Sequence, residues 1–278
     1  FKLWYSQSGT PKVTVKECYK DGVLELTLDQ DQNPSLNRRN KLPQVIPIRT
    51  GFIGKSGLEI LPEVILNLYK KSQTFYFKVN EKPIISLLRG FSAPIILEQK
   101  VNIENQTFLF KNDTDTFNKW EAGRNISIEL LISEVNETTI DLLPYIEALS
   151  KIISDENLDL AYRSLLLTLP SQETIAQSMF ERGIVPDPDK IFTAVTKLEL
   201  CIAKNLNKQF INTYKNLTFQ NSYTPDPRDA GQRSLRNASL KYITKLDSGK
   251  AALEQFKSAD NMTEQLSALG LIIAADIK

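Results

Sequence analysis

The sequence contains no histidine, and this absence restricts its chemistry more than any other feature. Without histidine, a chain cannot build a His-ligated zinc or haem site, a Ser-His-Asp triad or a Cys-His dyad. Cysteine is scarce as well, since Cys18 and Cys201 lie far apart and neither has a C-x-x-C partner. We therefore predict two buried free thiols in a reducing compartment. We also predict no catalytic, cofactor-binding or metal-binding residue in this chain.

An excess of charge and a long apolar run are missing too. The 34 basic and 33 acidic side chains leave a formal charge of +1, which excludes a polybasic nucleic-acid binder as the default interpretation. No apolar run approaches the roughly 18 residues of a membrane span, and the longest one, 266–275, is broken by Ser267 and Gly270. The sequence does not begin with methionine, and we expect no signal peptide in it. We expect a cytoplasmic fragment with no nucleic-acid or membrane partner.

The first hundred residues have the period of β-strands. Residues 13–15 and 24–28 alternate between apolar and polar side chains on either side of Lys20-Asp21-Gly22, which indicates a β-hairpin. Pro47 and Pro62 interrupt strand patterns, so their strands are predicted to be bulged or to lie at sheet edges. Short strands bounded by proline or glycine favour an immunoglobulin-like β-sandwich over residues 1–102. The further strands are predicted at 45–49, 58–61, 64–68, 74–79, 84–88 and 95–97.

After residue 103 the apolar period becomes helical. Asp113 is predicted to cap a helix that begins at 114, and Asp187-Pro188 to begin one long amphipathic helix that reaches Leu217. Helices with short loops and no fixed repeat length predict an irregular, solenoid-like α-helical array over residues 103–278. The last helix has no C-cap before the end of the sequence, so we expect a truncated domain. The shorter helices are predicted at 144–154, 158–169, 172–182, 228–246 and 262–277.

Two sequence patterns resemble binding or catalytic motifs, but a structural role explains each of them better. Gly54-Lys55-Ser56 resembles the end of a phosphate-binding loop, but Arg49 stands where that motif needs glycine, so a hairpin turn is predicted. Paired carboxylates could perform acid–base chemistry, but each pair lies at a predicted helix start, where it would cap the helix and complement its dipole. These pairs are Asp113/Asp115, Asp155/Glu156, Asp187/Asp189 and Asp226/Asp229.

One resemblance extends over nearly the whole chain. Trp4-Tyr5-Ser6-Gln7-Ser8-Gly9-Thr10-Pro11, running into Val13-Thr14-Val15-Lys16, resembles the passage from the catalytic domain to the β-sandwich in the bacterial aminopeptidase N family. Four further stretches follow in the order and spacing of that family. They are Phe91-Ser92-Ala93-Pro94, Leu167-Thr168-Leu169-Pro170-Ser171, Leu235-Arg236-Asn237-Ala238 and Asn261-Met262-Thr263.

The resemblance implies a parent protein that is a zinc-dependent aminopeptidase acting on peptides. The family's H-E-x-x-H zinc motif and G-A-M-E-N motif belong to a catalytic domain that would precede Phe1, and neither occurs here. No catalytic residue is therefore carried over, and zinc is implied for the parent alone. In the family, the sandwich is a spacer and the helical domain encloses the active site, so the implied partner is the chain's own catalytic domain in cis.

Two hypotheses of different class follow. In the first, the chain is the non-catalytic C-terminal part of an aminopeptidase N. In the second, it is an independent module that binds another protein through its helical array. The first hypothesis predicts apolar side chains at the surface where the catalytic domain would pack, with Trp4, Tyr5 and Trp120 as the candidates.

Overall fold

Residues 2–32, 41–99, 101–219 and 223–275 are described by a computed structural model of the chain. They form two units that divide between Ala122 and Gly123. The first unit contains the predicted strands, and the second contains most of the predicted helices. Ile103–Asn112 and the first turns of the next helix pack with the strands, so the packing unit extends beyond residue 102.

The first unit is a two-sheet sandwich of seven strands within the described residues. One sheet has the strand order β5-β2-β1-β7, and the other has the order β4-β3-β6. Two sheets that share one core match the immunoglobulin-like class predicted from the sequence. The strands are β1 (Pro11–Lys20), β2 (Val23–Gln32), β3 (Ile46–Ile53), β4 (Glu59–Leu68), β5 (Ser72–Lys78), β6 (Ile84–Leu87) and β7 (Ile96–Glu98).

The predicted hairpin is β1 with β2. These strands pair antiparallel from Pro11↔Gln32 to Lys20↔Val23. Asp21 and Gly22 have φ of 51° and 75°, the left-handed pair that a tight two-residue hairpin turn requires. The inward positions of β2 are Leu24, Leu26 and Leu28, which are fully buried in the core between the sheets.

The prolines lie where a missing N–H is tolerated. Pro62 falls within the edge strand β4, at a register shift between Thr50 and Phe52 of β3, and this bulge joins the predicted strands 58–61 and 64–68 into one. The prediction of two separate strands was therefore wrong. Pro47 pairs with Asn67 of β4 and lies outside the stretch of β3 that pairs with β6.

The helices follow the predicted period. In the first unit lie α1 (Lys2–Ser6) and α2 (Ile103–Asn112), and α3 (Thr116–Val135) begins there. None of the described helices is long and apolar enough to cross a membrane. The helices of the second unit are α4 (Leu143–Ser154), α5 (Leu160–Leu166), α6 (Gln172–Glu181), α7 (Pro188–Asn216), α8 (Pro227–Thr244), α9 (Lys250–Ser258) and α10 (Met262–Ala274).

The long helix α7 organises the second unit. Asp187 caps it by accepting from the N–H groups of Asp189 and Lys190, and Pro188 occupies its first turn, as predicted. Its buried face packs against α4, α6 and α8. Non-helical backbone at Leu206 interrupts the helix without ending it. The sequence analysis did not predict α1, α2 or α9, and residues 276–277 of the predicted last helix lie outside the described residues.

Tyr242 supplies a test of the packing of the second unit. Its ring stacks on Phe210 at 4.5 Å, and its buried hydroxyl donates to Leu167 O at 2.8 Å. Tyr242→Phe leaves that carbonyl without its donor, so we expect a loss of about 1–2 kcal/mol in the free energy of unfolding. Urea denaturation measures it, with the exposed Tyr76→Phe as the control. If Tyr242→Phe and Tyr76→Phe have the same free energy of unfolding, the hydrogen bond of the Tyr242 hydroxyl does not stabilise the second unit.

Candidate functional site

A charged side chain lies in the interior of the first unit. The Arg89 side chain is only 2% exposed, and its Nη2 donates to Asp113 Oδ1 at 2.9 Å. Its Nε donates to Ser86 Oγ at 3.0 Å, while Ser86 Oγ donates to Asp113 Oδ2 at 2.6 Å. Three elements meet through these bonds: the end of β6, the turn after it and the end of α2. We call Ser86, Arg89 and Asp113 the arginine centre.

Further charges from β3 and β4 complete this centre. Arg89 Nη1 donates to Glu59 Oε1 at 2.7 Å and lies 3.5 Å from Glu63 Oε2. Thr114 Oγ1 also donates to Glu59 Oε1, at 2.7 Å. Arg49 donates to Glu63 Oε1 from Nη2 at 2.6 Å and from Nε at 2.9 Å. The carboxylates around Arg89 are therefore already paired with guanidinium groups.

The start of α3 is tied to the same centre. Asn118 Nδ2 donates to Ser86 Oγ and to Leu87 O, each at 2.7 Å. The N–H of Asp115 donates to Asp113 Oδ1 at 3.0 Å. Because Asp115 Oδ1 in turn accepts from the N–H of Asn118 at 2.9 Å, Asp115 is the residue that caps α3.

Backbone conformation and a glycine make room for the buried arginine. Leu88, Gly90 and Phe91 have φ of 62°, 61° and 51°, which is strained backbone for the two that carry side chains. Gly51 lies directly beneath the guanidinium, and a Cβ there would lie 2.0 Å from Arg89 Cζ. The contacts of Arg89 offset the strain around it, and its position requires glycine at residue 51.

The pKa directions agree with a structural role. Burial acts to lower the pKa of Arg89, but hydrogen bonding to Glu59 and the charge of Asp113 outweigh it and raise the pKa above its ordinary value. The hydrogen bonds from Arg89 and Thr114 lower the pKa of Glu59. Burial raises the pKa of Asp113, and the donors from Ser86 and Asp115 limit that rise. Glu59 and Glu63 are partly exposed, and each is paired with an arginine, as in a structural ion-pair network.

The carboxylate pairs have mixed outcomes. Asp187 and Asp226 cap α7 and α8, as predicted. Asp113 is not the predicted N-cap, because it ends α2 and its carboxylate is turned inward to Arg89. Asp155 is not at a helix start either: it ends α4, and Asp159 caps the next helix. The capping prediction for Asp155/Glu156 was wrong.

Two further predictions concern a turn and the thiols. Gly54-Lys55-Ser56 lies in the connection between β3 and β4, where Gly54 N donates to Leu58 O at 2.8 Å, so it is a hairpin turn as predicted. Both cysteines are free, but the burial prediction was wrong for Cys18, which is exposed, and Cys201 is half-buried. At Cys18, β1 lies beyond its short pairing with β7, so this part of the strand is at the sheet edge.

Zinc does not fit the residues that the structure describes. Among them, no group of three or more His, Cys, Asp or Glu side chains could hold a metal ion. Glu59, Glu63 and Asp113 are gathered around Arg89, and its guanidinium occupies the position between them that a cation would need. The expected absence of catalytic and cofactor-binding residues stays a prediction.

A second buried ion-pair cluster joins α7 to α8. The carboxylate of Glu199, 8% exposed, lies 2.6 Å from the Nζ atoms of both Lys241 and Lys245. Burial acts to raise the pKa of Glu199, but the charges and hydrogen bonds of the two lysines outweigh it, so the pKa is lowered. This cluster fixes the register of the two helices within the second unit.

The last helices are held by a polar network. Arg236 stacks over the ring of Tyr214 at 4.3 Å and pairs with Glu264. Tyr214 Oη donates to Gln255 Oε1 at 2.9 Å, and Gln255 Nε2 donates to Asn237 Oδ1 at 2.8 Å. Two stretches that carry the family resemblance thus supply structural residues. One supplies Arg236 and Asn237, and the other supplies Asn261, whose Nδ2 donates to Glu264 Oε2 at 2.8 Å. Sequence reasoning identified these stretches by likeness but did not predict the network.

The N-terminal resemblance stretch lies against the segment before β3. Trp4 Nε1 donates to Val45 O at 3.1 Å, and Gln7 exchanges two hydrogen bonds with the backbone of Leu42. Beside these contacts, Tyr5 is 83% exposed, and Leu42 and Val45 are exposed as well. The prediction of exposure is confirmed for Tyr5, whereas Trp4 and Trp120 are half-buried.

Family comparisons divide the chain as the secondary structure does. Residues 9–100 match the family described as "Domain of unknown function (DUF3458) Ig-like fold". Residues 103–278 match "Domain of unknown function (DUF3458_C) ARM repeats". Both the sandwich and the helical array predicted from the sequence are thereby confirmed.

Similar curated proteins are aminopeptidases N. That of Escherichia coli is 31% identical over 100% of this chain and 33% of its own length. The Haemophilus influenzae protein is 30% identical over 99% of this chain and 33% of its own, and that of Caulobacter vibrioides 32% identical over 98% and 32%. The chain therefore spans about a third of the length of these relatives.

A solved structure shows the same fold. The crystal structure of Legionella pneumophila aminopeptidase A in complex with aspartic acid matches with a TM-score of 0.82 and 24% identity. The match covers 99% of this chain and 33% of that protein.

Removal of Arg89 should strongly destabilise the first unit. Arg89→Met leaves Asp113 buried without its cation, so we expect a loss of about 3–5 kcal/mol in the free energy of unfolding. Gly51→Ala, which displaces the guanidinium, should act in the same direction. The control is Lys16→Ala, because the exposed Lys16–Asp29 pair should contribute less than about 1 kcal/mol. If chemical denaturation shows that Arg89→Met loses no more free energy of unfolding than Lys16→Ala, the arginine centre does not stabilise the first unit.

The second cluster predicts a pH-dependent stability. The lowered pKa of Glu199 means that its contribution is present above the ordinary value of 4.5 and is lost as the pH falls through the lower folded value. Glu199→Gln should therefore cost about 1–3 kcal/mol at pH 7, and the difference from the parent sequence should shrink below about pH 4. Urea unfolding at several pH values measures it, and a difference that stays constant with pH would rule out the ionic contribution.

Proposed function

Because the chain belongs to the DUF3458 family, with its Ig-like and ARM-repeat domains, and is homologous to the C-terminal region of aminopeptidase N, we propose that it is the non-catalytic part of a larger aminopeptidase. The parent protein would release N-terminal residues from peptides in the cytoplasm. Its zinc would be held by a catalytic domain outside these residues. Residues 1–102 would form the sandwich domain, and residues 103–278 the helical domain.

The observation that carries this proposal is the match to aminopeptidases N along almost the whole chain, at about a third of their length. The role that follows is architectural: the sandwich acts as a spacer, and the helical array restricts access to the active site of the parent. The arginine centre supports the spacer role, because a buried and fully paired ion cluster stiffens the end of the sandwich where the chain enters α2 and α3.

The exposed face of α1 supports the catalytic domain as a partner in cis. Tyr5, Leu42 and Val45 are exposed on two segments that hydrogen bonds hold together. Aromatic and aliphatic side chains grouped at a surface are typical of domain interfaces. The hydrogen bonds of Trp4 and Gln7 keep this face in place, so it would present a preformed surface to the catalytic domain.

The test begins with the purified chain, excess zinc, and alanyl-, leucyl- and lysyl-anilides. We expect no turnover, because the chain contains no histidine and the carboxylates gathered around Arg89 are paired with that guanidinium. Zinc-dependent turnover that survives repurification would contradict the non-catalytic assignment.

To test the catalytic domain as the partner, the catalytic domain encoded by the parent gene is expressed separately and its binding to this chain is measured. We expect it to bind the chain, and Tyr5→Asp to weaken that binding at least about tenfold, since a charge would enter an apolar interface. Tyr76→Asp, at another exposed tyrosine of the first unit, serves as the matched control. A reading frame without an H-E-x-x-H segment before Phe1, or equal binding of the two variants, would instead favour an independent interaction module.

A further inference from the structure

Strand β4 has an open edge in the first unit. It stands at the end of the sheet order β4-β3-β6, so among the described strands it is paired on one side only. A strand edge carries a row of N–H and C=O groups, and proteins usually protect it with a bulge, a proline or a charge. In β4 the bulge and Pro62 lie near the beginning of the strand. The run that follows, Val64 to Tyr69, contains no proline and no charge.

The backbone groups of two residues on this edge point away from the partner strand. Arg49 of β3 lies opposite Ile65, and its N–H donates to Ser92 Oγ at 3.0 Å rather than to β4. The pair Arg49↔Ile65 is therefore of the non-hydrogen-bonded kind. Pro47, which has no N–H, lies opposite Asn67 in the same phase. The N–H and C=O groups of Ile65 and Asn67 consequently face the open edge.

The same edge has unused donors and an apolar outer face. Within the described ranges, no protein group accepts from the N–H of Ile65 or from that of Asn67. Tyr69 continues the phase, and its N–H donates to Gln73 Oε1 at 3.1 Å, which leaves its C=O at the edge. The side chains of Ile65 and Tyr69 are 57% and 56% exposed. The occupant of such an edge must be extended, because only a strand matches alternate N–H and C=O groups in a row.

This edge is complementary to a second copy of itself. When two β4 edges meet antiparallel with Asn67 opposite Asn67, the two asparagines exchange two main-chain hydrogen bonds. In that register Ile65 lies opposite Tyr69 of the other copy and donates to its carbonyl. A β-branched side chain opposite an aromatic one is a stabilising cross-strand pair. At both ends Glu63 lies opposite Lys71 of the other copy, so the charges are complementary too.

We propose that β4 is the interface of a symmetric dimer of this chain, in which two β4 edges pair antiparallel about a twofold axis at Asn67. The sheets β4-β3-β6 of the two copies then form one continuous sheet. This assembly is closed at two copies, because each copy uses the same edge once. The inference rests on the sandwich and not on the proposed catalytic partner.

The experiment measures the mass of the chain by sedimentation equilibrium over a concentration series. We expect a monomer–dimer equilibrium for the unmodified chain. Asn67→Lys places like charges directly opposite each other on the twofold axis, so it should weaken the dimer at least about tenfold, and Asn67→Asp should do the same. The matched control is Tyr76→Lys, at an exposed residue of the edge strand β5 in the other sheet, and it should leave the dimer unchanged.

A mixture of the two variants tests the register itself. With Asn67→Lys and Asn67→Asp in equal amounts, opposite charges face each other across the axis, so we expect the dimer to be recovered. Recovery also shows that both variants are folded, because an unfolded chain has no β4 edge to pair.

Three results would overturn the proposal. The first is a monomer throughout the concentration series. The second is a dimer that Asn67→Lys leaves intact or that Tyr76→Lys disrupts, since the interface would then lie elsewhere. The third is a mixture of the two Asn67 variants that stays monomeric, which would contradict pairing about Asn67. None of these results bears on the anilide test or on binding of the catalytic domain, so failure of the two proposals can be told apart.

Discussion

The first unit depends on one constraint: the charge of Arg89 is removed from water and must be fully compensated inside the protein. The compensation comes from Asp113, Ser86 and Glu59, which belong to different elements. A buried ion is tolerated only when it is completely paired, so these elements must pack in one particular arrangement. The pairing thereby defines how the end of the sandwich meets α2, which hydrophobic packing alone would specify less strictly. The left-handed residues after β6 and the missing side chain at Gly51 follow from the same requirement.

Much of the architecture could be predicted from the sequence because its signals are local. Alternation in β2, the Asp21-Gly22 turn and the Asp187-Pro188 helix start each act over a few residues, and each is confirmed. One of the missed elements lacks such a signal, since α9 begins after the left-handed Gly249 without a side-chain cap. The bulge that makes β4 one strand was missed because it depends on the partner strand β3.

The polar centres could not be predicted in the same way, since their members are distant in sequence. Asp113 has the local appearance of a helix cap, and only the fold shows that Asp115 caps the helix while Asp113 turns inward to Arg89. Glu199 lies within a helix, and its partners Lys241 and Lys245 lie on the next one. The exposure of Cys18 likewise depends on how far β7 extends along β1. Pairings of this kind depend on tertiary geometry, and no periodicity in the sequence indicates them.

The buried arginine also has a consequence for the order in which the chain is made. Synthesis proceeds from the N-terminus, so the strands emerge before residue 113, and Arg89 is present for a time with Glu59 but without the buried carboxylate of Asp113. Strand pairing can begin in that interval, but enclosure of the guanidinium is unfavourable until α2 has emerged. Closure of the sandwich interior is thus coupled to the synthesis of α2. The first unit completes its folding together with that helix rather than strand by strand.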